Sequence, residues 1–264
     1  MATGKSLAQE YASATQPVVR RIGPKDLMDA LAKGLDDFKA KPSHLLLLVL
    51  IYPLVGIFLI RYSFGHDILP LVFPLIAGFT LIGPVAAVGL YEISRRRELG
   101  LDISWRHAFD VFQSPSILSI AAIGLLQMMI YFAWLGTALI IYEAIFGTEV
   151  PDTLMGFARE IFATPKGWQL IVIGSAAGAL FAVLVLAISA VSFPLLLDKD
   201  VGARVAVQTS LKAFQVNPGT MLLWGAIVGV ILGLGALPLF VGLAVVMPVL
   251  GHATWHLYRK VVEN

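Results

Sequence analysis

Residues Ala213 to Tyr258 read AFQVNPGTMLLWGAIVGVILGLGALPLFVGLAVVMPVLGHATWHLY and contain no Asp, Glu, Lys or Arg. As a single helix these 46 residues would be about 70 Å long, more than twice the thickness of the hydrocarbon core of a bilayer. Gly233, Gly235 and Pro238 mark the natural break, because glycine and proline both weaken a helix. We therefore interpret the stretch as two membrane-spanning helices.

The composition of the whole chain is that of a membrane protein. Of its 264 residues, 58% are hydrophobic and 14% are charged, which excludes an ordinary soluble domain and a disordered chain. The net charge of +2 gives no indication of a nucleic-acid partner. Because the chain has no cysteine, disulfides, thiolate metal sites and cysteine nucleophiles are excluded.

Six spans are predicted within a membrane domain of residues 23–262, which follows a flexible tail of residues 1–22. The tail is polar and has no apolar segment long enough for a signal peptide. A spanning helix needs about 20 residues, and each apolar run supplies roughly that length. The predicted spans cover about residues 44–61, 68–93, 117–143, 168–196, 219–236 and 239–258.

The basic residues are distributed asymmetrically about these spans. Sixteen of the 19 Lys and Arg residues fall in the tail, the second and fourth loops and the C-terminus. Only Arg61, Arg159 and Lys166 fall in the other loops. Because loops rich in Lys and Arg stay in the cytoplasm, we expect a multi-pass protein with both termini there.

Three segments before the odd-numbered spans resemble one another. Each has a phenylalanine followed within four residues by a proline, and apolar residues precede it at helical spacing. The pattern predicts three parallel units, each an amphipathic surface helix, a proline corner and a two-span hairpin. Each helix would lie at the membrane surface or against the bundle; alternatively, the likeness is only the amphipathic character common to cytoplasmic loops. The apolar stripes are Leu27, Leu31, Leu35 and Phe38, then Leu101, Trp105, Phe109 and Phe112, then Ala203, Val207, Leu211 and Phe214.

Two histidines stand out near the end of the last span. His252 and His256 are four residues apart, a spacing that can present two imidazoles to one metal, with Glu92 as the only repeat-related further ligand. The alternative is a hydrogen bond from His252 to a neighbouring helix. In that reading His256 lies at the headgroups beside the interface anchors Trp255 and Tyr258.

The densest charged cluster is residues 92–98, with Glu92, Arg95, Arg96, Arg97 and Glu98. In one interpretation Arg95 and Arg96 belong to a basic patch that holds anionic lipid head groups or another membrane protein. In the other, the cluster orients the chain in the membrane, and Glu92 pairs with Arg95 or Arg96 on its own helix.

The predicted spans contain few polar residues that could perform chemistry. Gln127, Glu143 and Gln169 are scattered, and no set of buried ionisable residues typical of a proton-coupled pump is visible. Glycines at four-residue spacing on the fourth and fifth spans favour close helix packing within the chain. The alternative is that they form the contact of a homodimer. There is no P-loop, paired-glycine fingerprint or serine-nucleophile elbow. We therefore expect no enzyme and assign no catalytic, cofactor-binding or metal-binding residue.

Four stretches carry a family likeness: GP (83–84) with GLYE (89–92) and SRR (94–96), FPLLLDKDV (193–201), NPG (217–219) with MLLWGA (221–226), and PVLGHATWHLYR (248–259). They resemble a family of predicted bacterial integral membrane proteins, domain of unknown function 2189. The resemblance implies a six-span protein of a bacterial inner membrane, and it brings no established activity or functional residues.

Two functions remain open at this point. The first is a non-catalytic scaffold, accessory subunit or lipid-organising bundle, which the amphipathic stripes favour. The second is a transporter or channel for a small or amphipathic solute, which internal repeats and prolines within the spans favour. The candidate functional residues in either case are Glu92, Arg95, Arg96, His252, Trp255 and His256.

Overall fold

The structure is a computed structural model, and it describes residues 17–40, 69–148, 153–238 and 240–263. Within those ranges the chain is helical and forms no β-strand, which confirms the predicted all-α class. The first predicted span, 44–61, and most of the predicted tail lie outside the described residues.

Eleven α-helices are defined within the described residues, together with three 3₁₀ segments. The helices are α1 Pro24–Ala40, α2 Val72–Phe79, α3 Gly83–Ala86, α4 Val88–Glu98, α5 Ile117–Phe146, α6 Leu154–Ala163, α7 Pro165–Ser189, α8 Ser192–Asp198, α9 Gly202–Val216, α10 Pro218–Ala236 and α11 Leu243–Val261. The 3₁₀ segments are Leu69–Leu71, Thr80–Ile82 and Trp105–Gln113. We call the last of these the aromatic segment.

Four helical stretches in the described residues are long and apolar enough to cross a membrane: Val72–Glu98, Ile117–Phe146, Pro165–Asp198 and Pro218–Ala236. They correspond to the second to fifth predicted spans. The sixth predicted span is helix α11, which is not among these four, since its second half carries two histidines, Arg259 and Lys260. Six spans and a threefold repeat therefore stay predictions.

The two longest of these stretches exceed what a bilayer needs. Ile117–Phe146 has 30 residues and Pro165–Asp198 has 34, or about 45 and 51 Å of helix against a hydrocarbon core of about 30 Å. The buried residues concentrate at one end, in ranges such as 88–94, 185–196 and 250–262. The last turns of Pro165–Asp198, with residues 88–94 and 250–262, thus form a packed layer at one end of the bundle. We call it the basic end, because all the described Lys and Arg residues except Arg159 and Lys166 lie there.

Helix α1 packs along the second half of α11 with a face that the sequence stripe only partly predicts. The buried residues are Leu27, Ala30, Gly34, Asp37 and Phe38, whereas Leu35 of the predicted stripe is exposed. A Cβ atom on Gly34 would lie 2.6 Å from the backbone nitrogen of Ala253. Ala30 and Gly34 fit on this face because the two backbones lie very close together there. The hydrophobic stripe read from the sequence therefore does not coincide with the buried face of α1.

In helix α9, too, the buried face differs from the apolar stripe that the sequence predicts. Its fully buried residues are small, namely Ala206, Ser210 and Ala213, while Leu211 of the predicted stripe is exposed. Like α1, this helix lies against the bundle rather than along a lipid surface.

Residues 17–22, which the sequence assigns to a flexible tail, are held at the basic end. Val19 forms an isolated antiparallel bridge with Val262, and the Arg20 amide donates to the Val261 carbonyl at 2.7 Å. The Asn217 side chain accepts from the Ile22 amide at 2.8 Å and donates to the Arg20 carbonyl at 2.9 Å. Residues 18–22 thus close the chain onto its own C-terminal end.

The aromatic segment is not the α-helix that the spacing from Leu101 predicts. It begins at Trp105 and runs as a 3₁₀ helix to Gln113, where Ser114-Pro115-Ser116 turns the chain into α5. Val111 is its one buried residue, and Ala108 lies so close to α4 that a Cβ atom on Gly89 would meet the Ala108 Cβ at 2.9 Å.

The opposite end carries an amphipathic helix that the sequence reading missed. Thr153 caps the N-terminus of helix α6, where its hydroxyl accepts from the Gly156 amide, and Thr164 caps α7 in the same way by accepting from the Gly167 amide. Met155 and Phe162 are exposed while Phe157 is buried against Tyr142. The helix has only 10 residues and lies between two spans, so from the sequence alone this region is not distinguished from a loop.

The glycines at four-residue spacing divide into two groups. Gly178 faces the Trp134 ring and Gly225 faces the Leu186 side chain, so these two pack within the chain as expected. A Cβ atom on Gly174, Gly229 or Gly233 would meet nothing within 4 Å.

Candidate functional site

Asp37 is the centre of a buried polar network at the basic end. The residue is 7% exposed, and its carboxylate contacts three side chains from two other helices. Ser94 of α4 donates to Oδ2 at 2.6 Å, and His256 of α11 places Nε2 at 2.8 Å from the same oxygen. Arg97 of α4 donates to Oδ1 and adds an ion pair. One carboxylate thus joins α1, α4 and α11.

The network continues from Ser94 to His252. The Ser94 hydroxyl lies 2.8 Å from Nδ1 of His252, which is fully buried. A hydroxyl has a single proton, and Ser94 donates it to Asp37. Nδ1 of His252 must then be the donor in the second contact, which assigns the proton to that ring nitrogen.

Electrostatics favour an ionised Asp37. Burial raises the pKa of this carboxyl, but hydrogen bonds from His256 and Ser94 outweigh burial and leave the pKa below its usual range. Asp37 is therefore a carboxylate at neutral pH, paired with Arg97, and not a proton donor.

A second network joins α4, α8 and α11 beside the first. The Trp255 indole donates to Glu98 at 3.0 Å, and Arg259 donates to Glu98 at 2.9 Å and to Asp198 at 3.2 Å. The Tyr258 hydroxyl donates to Asp198 at 2.6 Å. Trp255 is fully buried, so the prediction that it and Tyr258 are lipid-facing interface anchors is wrong: their polar atoms bind carboxylates inside the protein.

The cluster at residues 92–98 is organised by local ion pairs. Arg95 makes two hydrogen bonds to the buried Glu92 carboxylate, at 2.8 and 3.1 Å. Arg96 contacts Asp110 at 3.3 Å and the Asp102 carbonyl at 2.9 Å. This geometry favours the interpretation as local ion pairs over a free basic patch, because both guanidinium groups already face acceptors.

Helix α4 separates two cavities at the basic end. One has a volume of about 480 Å³ and is lined by Glu92, Arg95 and Arg96 together with Asp198 and Lys199. The other has a volume of about 780 Å³, and the residues around it include Asp37, Ser94, Arg97, His256, Arg259 and Lys260.

The predicted candidates do not converge on one site. Glu92 and Arg95 border the first cavity and His256 the second, while His252 borders neither. His252 and His256 contact different partners, Ser94 and Asp37. Within the described ranges no three His, Cys, Asp or Glu side chains are placed to hold a metal ion. The geometry supports the alternative reading of His252, a hydrogen bond to a neighbouring helix.

Sequence reasoning missed Asp37, Ser94 and Asn217. Asp37 is one of several charged residues on an amphipathic helix. Its spacing with Leu27, Ala30 and Gly34 follows one helical face, and this signal could have placed it inward. Ser94 and Asn217 carry no comparable signal, since their partners lie far away in the chain.

This arrangement of apolar spans above a polar layer can be compared with known proteins. Residues 72–198 match the family of predicted integral membrane proteins DUF2189. That result confirms the resemblance over α2 to α8, just under half of the chain, and it includes Glu92, Ser94 and Arg97 but not Asp37 or His256. No curated protein and no solved structure matches the chain.

Proposed function

We propose that the protein is a non-catalytic membrane bundle that serves as a scaffold or accessory subunit or organises lipid. The observation that supports this most directly is the use of Asp37. Its carboxylate binds Ser94 and Arg97 of α4 and His256 of α11, and so links α1 to both helices. Polar groups held in this way stabilise one arrangement of helices.

The other polar candidates support the same proposal. Glu92 binds Arg95, and Glu98 binds Trp255 and Arg259. An acid–base catalyst needs a titratable group within reach of its substrate, and these carboxylates face cations instead. Their role in this proposal is to fix the helix ends that form the basic end.

The location that we propose is a bacterial inner membrane, with the basic end and both termini in the cytoplasm. The charge distribution supports this orientation, because Arg159 and Lys166 are the only described Lys and Arg residues at the opposite end. Loops and helix ends rich in basic residues are retained on the cytoplasmic side.

The exposed face of α1 offers a surface for another membrane protein. Met28 is 62% exposed and Leu35 is 38% exposed, and Leu31 lies between them at helical spacing. Met28 and Leu35 lie beside the face of α1 that contacts α11 through Ala30 and Gly34, and Leu31 is half-buried against the core. An exposed apolar stripe on an otherwise anchored helix is typical of a surface that binds a protein.

The test is purification of the full chain in a mild detergent, followed by native mass spectrometry. We expect a stoichiometric partner or retained lipid in the wild-type spectrum. The double variant Met28→Glu with Leu35→Glu should release a protein partner, while the matched surface variant Lys39→Glu should keep it. A wild-type protein that repeatedly emerges alone, with neither partner nor lipid, contradicts the proposal.

A transporter is the second candidate, and the shape of the second span favours it. Between Val72 and Glu98 the α-helix is interrupted by the 3₁₀ turn Thr80–Ile82 and again at Ala87. Interrupted helices can line a path through a membrane. In addition, the buried side-chain amide of Gln127 on α5 has no hydrogen-bond partner within the described part of the chain. Flux of a solute into liposomes that carry the protein, reduced by Gln127→Leu, would favour this candidate over the scaffold.

A further inference from the structure

The aromatic segment exposes a row of three large rings. Trp105, Phe109 and Phe112 are 49%, 56% and 70% exposed. The ring centroids of Trp105 and Phe109 are 6.1 Å apart, and those of Phe109 and Phe112 are 6.4 Å apart. The three rings therefore form one continuous apolar surface.

The segment is fixed to the bundle by its other face, so this row cannot simply turn inward. Val111 is buried, and Ala108 packs against the backbone of α4 at Gly89. The polar side chains on that face bind within the protein: Asp110 accepts from His107 and Arg96, at 2.8 and 3.3 Å. A segment held by both apolar and charged contacts keeps the rings directed away from the bundle.

The row is close along the chain to a candidate membrane-spanning helix. Phe112 is separated from α5 only by Gln113-Ser114-Pro115-Ser116, which make a tight corner through the Ser114 amide to Val111 and the Ile117 amide to Ser114. The first exposed apolar residue of that candidate span is Leu118, at 82% exposure. Phe112 thus lies one corner away from the start of that candidate span, and Trp105 lies about two turns of 3₁₀ helix further back.

We infer that the row Trp105, Phe109 and Phe112 inserts into the headgroup region of the same membrane that the spans cross, and anchors the basic end to it. Trp105 is favoured at this depth because its indole combines a large apolar ring with a polar N–H, and Phe109 and Phe112 add apolar area beside it. Arg106 lies over the Trp105 ring at 5.9 Å and brings a positive charge to the same surface, which suits lipid phosphates. This inference goes beyond the proposed function and holds for a scaffold or a transporter alike.

The inference also assigns different roles to the three segments that look alike in sequence. Helices α1 and α9 bury small residues against the bundle, whereas the aromatic segment directs its largest side chains outward. The apolar residues at this spacing are therefore not the buried face of α9 and are only partly that of α1, whereas in the aromatic segment they form the exposed row.

Because the chain has no cysteine, single introduced cysteines can report on each position. Phe109→Cys and Phe112→Cys are spin-labelled in the full chain, reconstituted in bilayers of phosphatidylethanolamine and phosphatidylglycerol. Leu125→Cys, 64% exposed on α5, is the reference for lipid. Gln113→Cys is the matched control, since Gln113 is exposed next to Phe112 but lines the 480 Å³ cavity.

We expect labels at 109 and 112 to collide more with oxygen than with a water-soluble nickel chelate, as at 125, and the label at 113 to show the reverse. A second measurement leaves the row intact: brominated lipids should quench wild-type emission more than that of Trp105→Phe. Nickel access at 109 and 112 equal to that at 113 overturns the inference. So does spin–spin broadening that disappears on dilution with unlabelled protein, because a second copy would then cover the row.

Discussion

The carboxylate of Asp37 lies 2.8 Å from Nε2 of His256, although 219 residues separate the two along the chain. This contact joins α1 to α11, and the bridge between Val19 and Val262 closes the same end. The first and last described parts of the chain therefore depend on each other, and variants in this contact should reveal how much of the stability resides at the basic end.

Replacing Asp37 by Asn should destabilise the protein by about 3 kcal/mol, because it leaves the contacts of Arg97 and His256 without their carboxylate. Thermal unfolding in detergent measures the loss. Asp36→Asn is the matched control, since Asp36 is the exposed neighbour on the same helix. Equal unfolding temperatures for the two variants would contradict a structural role for Asp37.

The same carboxylate predicts how stability depends on pH. Its pKa in the folded protein lies below its usual range, so the unfolded chain binds the proton more readily. Its contribution is complete above the unfolded pKa of about 3.9 and is lost as the pH falls through the lower folded pKa. Wild-type stability should thus fall more steeply below about pH 4 than that of Asp37→Asn. Parallel slopes from unfolding curves between neutral and acid pH would refute the assignment.

Gly34→Ala should prevent α1 from docking closely. The added Cβ would lie 2.6 Å from the Ala253 nitrogen and 2.7 Å from the Val249 carbonyl oxygen, and backbone cannot move aside cheaply. We expect a loss of about 1–3 kcal/mol, although alanine is otherwise the better helix former. Gly174→Ala, where the Cβ meets nothing within 4 Å, should be neutral or slightly stabilising. Faster proteolysis of α1 in Gly34→Ala alone checks the mechanism.

The contrast between Gly34 and the spans shows what the sequence could predict. Ile117–Phe146 is recognisable because a long apolar run needs no partner to be interpreted as a membrane helix. The docking face of α1 is different, since Ala30 and Gly34 have little apolar area and gain importance only from the nearness of Ala253. Likewise, the inward position of Trp255 depends on Glu98, 157 residues away, and periodicity carries no information about such distant pairs.

Asn217→Ala should release residues 20–22 from the bundle without unfolding it. Its side chain accepts from the Ile22 amide and donates to the Arg20 carbonyl, and the loss of such buried bonds costs about 1–3 kcal/mol. Hydrogen exchange at the Ile22 amide should accelerate, while exchange within α5 stays unchanged. Asn217→Asp retains the acceptor for Ile22 and should keep that amide protected; acceleration in both variants would contradict the predicted role of the acceptor.

Trp255→Phe tests whether Trp255 is buried in the protein or faces lipid. The indole donates to Glu98 and Arg259 lies over its ring at 5.8 Å, so phenylalanine keeps the packing but leaves Glu98 with one partner fewer. Loss of a buried hydrogen bond to a charged group predicts destabilisation of about 2 kcal/mol. Trp168→Phe, at a residue that is 56% exposed, should be nearly neutral. Quenching by brominated lipids gives an independent reading, since it should affect Trp168 and spare Trp255. If Trp255→Phe were neutral and the Trp255 emission were quenched as strongly as that of Trp168, the residue would be an interface anchor after all.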